Sequence, residues 1–228
     1  VERYLQLFDE LDLKLVKAID THVHADHITG AGELRRRTGA LSGVSESAQV
    51  SCVDRSLKHG DRLEFGQFEV EARFTQGHTE GCITYVVTVD EQILAFTGDA
   101  LLIRGCGRTD FQGGSANTLY DSVHREIFTL PDATLIYPGH DYISNNLGFT
   151  LDREPDNARA LALKADVENQ NTHEAMITTL GLEREINTFF RLQSASVIEQ
   201  LRSSFPDLPD QPDEKTVFLK LRELRNDW

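Results

Sequence analysis

Cysteine is scarce in this 228-residue chain, which holds three: Cys52, Cys82 and Cys106. They form no C-x-x-C pair and leave one unmatched, which argues against a disulfide framework and for a reducing, cytoplasmic setting. Long apolar runs are missing as well. No stretch approaches the ~18 residues that span a bilayer and no signal-peptide pattern opens the chain, so the expectation is an intracellular protein without a membrane segment. Basic residues are outnumbered, with 23 Lys and Arg against 37 Asp and Glu and a formal net charge of −14. That balance disfavours nucleic acid and anionic membrane as partners, because both need clustered cations. Arg35-Arg36-Arg37 is the one basic block and reads as the solvated end of a helix. What is present, 39% hydrophobic and 26% charged residues, is the make-up of a globular chain long enough to bury a core in one large domain or one and a half.

One segment concentrates the chemistry. Thr21-His22-Val23-His24-Ala25-Asp26-His27 sets three imidazoles and a carboxylate at the end of an apolar run. Further partners follow apolar stretches of their own: His78 in Gln76-Gly77-His78-Thr79, Asp99 in Thr97-Gly98-Asp99-Ala100, and His140 in Pro138-Gly139-His140-Asp141. Positions beside Gly or Thr at the end of a strand are where a rigid scaffold carries site residues on its loops. Neutral imidazole and carboxylate suit Zn, Fe and Mn, and the lack of Cys among these positions argues against a Cys-rich structural zinc site. Alternate residues of an extended segment face opposite sides, so His22 and His24 share an ion only if the strand has already broken into a loop. His59, His124 and His173 lack such a context and read as ordinary histidines, His124 on the polar side of a helix.

Along the chain, Val1, Tyr4, Leu5, Phe8 and Leu11 recur at helical spacing, and Leu15 to Ile19 then reads as a buried strand delivering the histidine cluster. A helix is expected from Ile28 through Arg37, stopped at Gly39. Phe68, Val70, Ala72 and Phe74 alternate with polar neighbours, and Leu63 to Phe65 form the hairpin partner across Gly66. Strands Ile83 to Val89 and Ile93 to Phe96 meet at a turn around Asp90-Glu91. Leu119, Val123 and Ile127 mark a helix ending before Pro131, and Thr134 to Tyr137 form a strand delivering His140. Strands with interposed helices and a candidate ligand after several strands predict an α/β layered architecture with its site along one sheet edge. Beyond about Thr150 helical patterns take over, at Ala158 to Val167, Ser196 to Phe205 and Val217 to Leu224. The organisation expected is a catalytic unit over 1–150 and a mostly helical region over 151–228 packed on it.

In this order, the H-x-H-x-D-H run and the later His78, Asp99 and His140 resemble the metallo-β-lactamase fold superfamily over roughly residues 12 to 142. The resemblance implies a four-layer αββα sandwich with the metal at the sheet edges. That fold begins with two or more strands before its first helix, whereas this sequence opens at the helix with Val1, so the expectation is that leading strands are missing from it. A finer likeness lies in the run from Phe96 to Gln112, with Gly105-Cys106-Gly107-Arg108-Thr109-Asp110-Phe111-Gln112 at its end, and in Tyr137-Pro138-Gly139-His140-Asp141-Tyr142. These resemble the persulfide dioxygenases, bacterial type. The hydroxyacylglutathione hydrolases share the Gly-Cys-Gly-Arg turn and continue differently at Thr109.

The dioxygenase resemblance implies one Fe(II) on His22, His78 and Asp99, a facial triad with open positions for sulfur and O2, and oxidation of glutathione persulfide to sulfite. His24, Asp26, His27 and His140 then support the ligands. In the alternative, a hydrolase of acylglutathiones, they hold the second of two zinc ions. A glutathione substrate carries carboxylates, so a net-negative protein needs local cations, and Arg104 and Arg108 are the candidates. Arg108 has a competing use as an ion-pair partner of Asp110. Tyr142 could offer its phenol, Asp141 braces the loop, and Cys106 reads as a buried loop thiol rather than a persulfide relay. A homodimer is a family-level expectation.

Overall fold

In the computed structural model, residues 1–24, 28–168 and 177–228 are described. Helix α1 (Glu2–Glu10) leads into β1 (Lys17–Ile19), α2 (Ala31–Thr38), β2 (Leu41–Ser45) and β3 (Arg55–Leu57). The three strands form an all-parallel sheet in the order β1-β2-β3. Helix α2 starts later than Ile28 and stops as expected. Gly39 takes a left-handed φ of 73° and its N–H returns to the Arg35 carbonyl, while Arg35, Arg36 and Arg37 stand exposed in the last turn, where cations favour the helix dipole. The two short strands β2 and β3 are not marked by the hydrophobic pattern, since Gly43, Ser42 and Ser45 occupy buried positions in β2.

The second sheet is a meander, β4 (Arg62–Phe65), β5 (Phe68–Phe74), β6 (Ile83–Val89) and β7 (Gln92–Gly98), extended by β8 (Leu135–Pro138) and β9 (Thr178–Thr179). The β4–β5 hairpin pairs Phe65 with Phe68 as the alternation predicts. Strand β8 lies parallel to β7, and β5 and β7 are each antiparallel to β6. Strands β5, β7 and β8 therefore run the same way, and the loops that leave their C-terminal ends share one edge.

Layering follows from which face each strand buries. Ile83, Tyr85 and Val87 of β6 join Leu57, Leu63, Val70 and Ala72 in a core between the sheets, with Ile19 of β1 packed against it. Val86 and Ala95 point the opposite way, into a larger core closed by helices. These helices are α3 (Ala116–Ser122), which continues as a π-helical turn over Val123–Ile127, then α4 (Ile143–Arg153), α5 (Ala158–Glu168), α6 (Leu180–Ile186), α7 (Ala195–Ser204) and α8 (Glu214–Asn226). Leu119, Phe149, Leu180, Val197, Leu201 and Phe218 all contribute to that one core. The expected division at residue 150 thus falls inside α4, and the helical part shares its core with the second sheet. His124, in the π turn, is half-buried among Tyr120, Phe128 and Phe218 rather than on a polar face.

Candidate metal centre

Residues just beyond β1, β5, β7 and β8 meet at the shared edge. His22, His24 and His78 bring one ring nitrogen each within 4.8 Å of one another. His24 and His78 face each other through Nε2 at 2.9 Å, and Asp99 Oδ2 lies 3.5 Å from His78 Nε2 and 3.9 Å from His22 Nε2. His22 and His24 both reach this point because the chain has left β1 at Ile19. His24, expected as a supporting group or as a ligand of a second ion, stands in the same cluster as His22 and His78. His140 Nδ1 donates to Asp99 Oδ1 at 2.8 Å. Asp26 and His27 lie outside the described residues, as does His173.

The site is electrostatically set for a cation. His78 Nδ1 lies 2.8 Å from the Arg108 carbonyl; a carbonyl only accepts, so Nδ1 carries the proton and Nε2 presents its lone pair to the cluster. Burial pushes the His22 pKa down to about 4, with the neighbouring imidazoles adding to the fall and Asp99 opposing it, and burial lowers His78 too. Both rings are neutral at pH 7, the form that ligates. Converging imidazole nitrogens and a buried carboxylate, with no thiolate among them, fit zinc or iron.

Glycine is required where backbone crowds the ligands. A Cβ on Gly107 would come within 2.0 Å of the Asp99 carbonyl oxygen and 3.0 Å of His78 Nδ1. At Gly98, φ is +52° and a Cβ would press on Thr21 and His22. Larger residues at either point would displace a candidate ligand.

A pocket of about 770 Å³ opens onto the cluster, lined by His24, Asp99, Phe111, His140 and Tyr142 and by Arg222, Arg225 and Trp228. Its size suits a small-molecule ligand. The Phe111 ring centroid lies 5.1 Å from that of His78 and 5.4 Å from that of His24. Tyr142 stacks on His140 with the rings 2° from parallel, and Asp141 Oδ1 accepts from the Ile143 N–H, bracing the loop. Arg108 lines the pocket while donating Nε and Nη2 to the two Asp110 carboxylate oxygens at 2.7 and 2.6 Å.

Arg104 corrects the sequence-based expectation. Its side chain is fully buried and paired with Glu183 and Thr178, so it supports the packing of α6 and does not line the pocket. Besides Arg108, the pocket is lined by two cations of α8, Arg222 and Arg225. Arg225 donates Nη2 to Asn145 Oδ1 at 2.9 Å and lies over the Trp228 ring. Burial lowers Arg222 to about 10, so it stays charged at neutral pH. Their signal in the sequence is faint: Arg222 follows Phe218 by four residues, a basic side chain on the buried stripe of an amphipathic helix.

Cys106 is buried in the turn, and that burial raises its pKa to about 12. A thiol so far from ionising is a poor nucleophile. Cys106→Ser is expected to keep turnover within about threefold of the parent, and a loss of several orders of magnitude with metal still bound would establish a covalent role.

Residues 3–140 match the family described as the metallo-beta-lactamase superfamily, and residues 141–228 match the hydroxyacylglutathione hydrolase C-terminus. A hydroxyacylglutathione hydrolase of Polaromonas sp. (strain JS666 / ATCC BAA-500) is 46% identical over 218 residues, covering 94% of this chain and 82% of its own length. The mitochondrial persulfide dioxygenase ETHE1 of Mus musculus is 54% identical over 140 residues, 61% of this chain and 54% of that protein. The crystal structure of ETHE1 from Myxococcus xanthus superposes with a TM-score of 0.66 at 36% identity, covering 98% of this chain and 82% of its own. This chain therefore belongs to the metallo-β-lactamase superfamily and has its fold, completed by a helical C-terminal part.

Proposed function

We propose that this chain is a metal-dependent enzyme acting on a glutathione derivative, with hydrolysis of an acylglutathione thioester as the first reading and oxidation of glutathione persulfide as the second. One observation carries the shared part: a single pocket joins the imidazole and carboxylate cluster to cations on α8. A tripeptide substituted at its thiol offers a reactive group there and carboxylates elsewhere, the two features that the metal-binding cluster and the cations would receive.

His22, His24, His78 and Asp99 would hold metal, with His140, Asp26 and His27 left for a second ion in the first reading; metal would supply Lewis acidity toward a carbonyl in that reading and redox chemistry with O2 in the second. Asp99 fixes His140 through Oδ1, and the Arg108 carbonyl fixes His78. Phe111 packs against the His24 and His78 rings and would orient them. Arg225, half-exposed beside Asn145, is placed to take a substrate carboxylate.

Hydrolysis has the broader support, because relatives carrying that name match along most of the chain, helical part included. It reverses the order expected from the sequence motifs. Persulfide oxidation keeps a specific support. Identity to a dioxygenase reaches 54% over 140 residues, and Phe111, from the Thr109 to Gln112 run in which the likeness to the two families differs, packs on the imidazoles.

Metal analysis of the purified chain, paired with a thioester assay on an acylglutathione and an oxygen electrode trace on glutathione persulfide, tests the proposal. Zinc near two per chain with thioester loss and no oxygen uptake supports the first reading; iron near one with uptake supports the second. Turnover of neither substrate by metal-loaded protein would sink both. In either case Arg225→Ala is expected to raise KM about tenfold with kcat nearly unchanged, the loss of one charge-assisted contact worth roughly 1.4 kcal/mol made equally in ground and transition states.

A further inference from the structure

We propose that Arg222 is a positioning residue for the metal centre, holding from α8 the turn whose last carbonyl fixes the His78 imidazole. The proposal rests on the metal-binding reading of the cluster and is independent of which glutathione derivative is consumed.

The turn from Ile103 to Arg108 sits between the ligands and the helical part, and its backbone polar groups are taken by side chains from that part. Asn146 on α4 donates to the Ile103 carbonyl at 2.9 Å. The Arg104 N–H donates to Glu183 Oε2 at 2.9 Å, and Asn187, which caps α6, donates to the Gly105 carbonyl at 3.3 Å. Arg222 Nη1 donates to both the Cys106 and Gly107 carbonyls, at 2.8 and 3.2 Å. The next carbonyl, that of Arg108, accepts from His78 Nδ1 at 2.8 Å.

Arg222 is itself fixed. It is 3% exposed, and Nε and Nη2 both donate to Asn226 Oδ1, at 3.2 and 3.0 Å. A buried guanidinium spanning two consecutive carbonyls defines their direction more tightly than one neutral donor, because its fork is planar and its bonds are charge-assisted. Nor can the turn slide toward the ligands, since Gly107 already lies against the Asp99 carbonyl and His78 Nδ1. Loss of Arg222 leaves two buried carbonyls without that donor and frees the turn to relax away from His78, changing the hydrogen bond that sets the ring's tautomer and aim. The helical C-terminal part thereby becomes a working component of the metal site as well as a pocket wall.

Cobalt(II) titration of the metal-free full chain tests this, because the ion's visible absorption reports ligand geometry without turnover. Arg222→Met, which keeps the aliphatic stem, is expected to weaken cobalt binding about 10- to 100-fold, to alter the visible bands, and to lower kcat. Arg222→Lys, with an ammonium able to reach one of the two carbonyls, should restore most of the affinity. Val217→Ala, a core truncation on the same helix, should lower Tm while leaving the cobalt spectrum unchanged. If Arg222→Met fails to fold, Asn226→Ala, which releases the guanidinium from its second anchor, should weaken cobalt binding severalfold, and no change there overturns the proposal. Unaltered cobalt affinity and spectrum in Arg222→Met, with only KM raised, would make Arg222 a substrate contact alone; the same cobalt defect in Val217→Ala would make the effect general loosening. Tight cobalt binding by a parent chain that turns over neither glutathione substrate defeats the functional reading and leaves the positioning role standing, whereas a parent chain that binds no cobalt defeats both.

Discussion

Asp99→Asn is expected to lower kcat/KM by roughly 10³-fold or more, a loss of about 4 kcal/mol of transition-state stabilisation, and to leave the purified protein depleted in metal. Asp99 is 6% exposed, and its two oxygens serve different partners: Oδ1 accepts from His140 and Oδ2 faces the Nε2 atoms of His22 and His78. The amide keeps the shape and can still accept from His140 through its oxygen, so its uncharged NH2 then falls where Oδ2 had pointed at the imidazoles. A carboxylate that balances a divalent ion is thus replaced by a neutral donor, which repels the cation. The surroundings make the choice of Asn important. A Cβ on Gly139 would stand 2.5 Å from Asp99 Oδ1, so a bulkier replacement would test packing as well as charge. Metal content, kcat/KM and Tm measured together check the prediction. A variant with parental metal content and turnover at unchanged Tm would remove Asp99 from the ligand set, and with it the common basis of both proposed reactions.

What could be read ahead of the structure was set by how local its physical cause is. The β4–β5 hairpin rests on alternation around Gly66 and the end of α2 on Gly39, both contained in a few residues. The candidate ligands stand out in the sequence because each follows a strand at a chemically uncommon residue, and the parallel course of β5, β7 and β8 brings His78, Asp99 and His140 to one edge. Non-local causes were opaque. Ser42 and Asp54, which bond each other across β2 and the segment before β3, carry no hydrophobic signal. Arg104 and Arg108 belong to one motif, yet Arg104 turns inward at a φ of +62° to meet a carboxylate 79 positions later, while Arg108 remains at the pocket. Charge near a motif suggested substrate contact for both. The cations contributed by α8 depend on a helix far along the chain folding back over the loops, a tertiary fact that helical periodicity at Val217 to Leu224 leaves open.

The buried pair formed by Arg104 and Glu183 leads to the largest expected change in stability. Glu183 is 0% exposed and Arg104 1%. Burial raises the pKa of Glu183 and lowers that of Arg104, so each charge is penalised and depends on its partner. Glu183 Oε1 accepts from Arg104 Nη1, and Oε2 accepts from the Arg104 N–H at 2.9 Å and from Asn187 Nδ2 at 2.9 Å. Arg104 Nε and Nη2 have no hydrogen-bond partner among the described residues, so Glu183 carries nearly all the compensation for that cation. Glu183→Ala therefore strands a buried guanidinium and a backbone donor, and about 3–5 kcal/mol should be lost. At roughly 2–4 °C per kcal/mol for a chain of this size, Tm should fall by about 6–20 °C. Glu183→Leu combined with Arg104→Met should recover much of that loss, because it removes both desolvated charges and fills the space with apolar atoms. A Tm for Glu183→Ala within about 2 °C of the parent would mean that water or a rearranged Arg104 replaces the carboxylate, and the pair would then not be what fastens α6 to the turn beside the metal site.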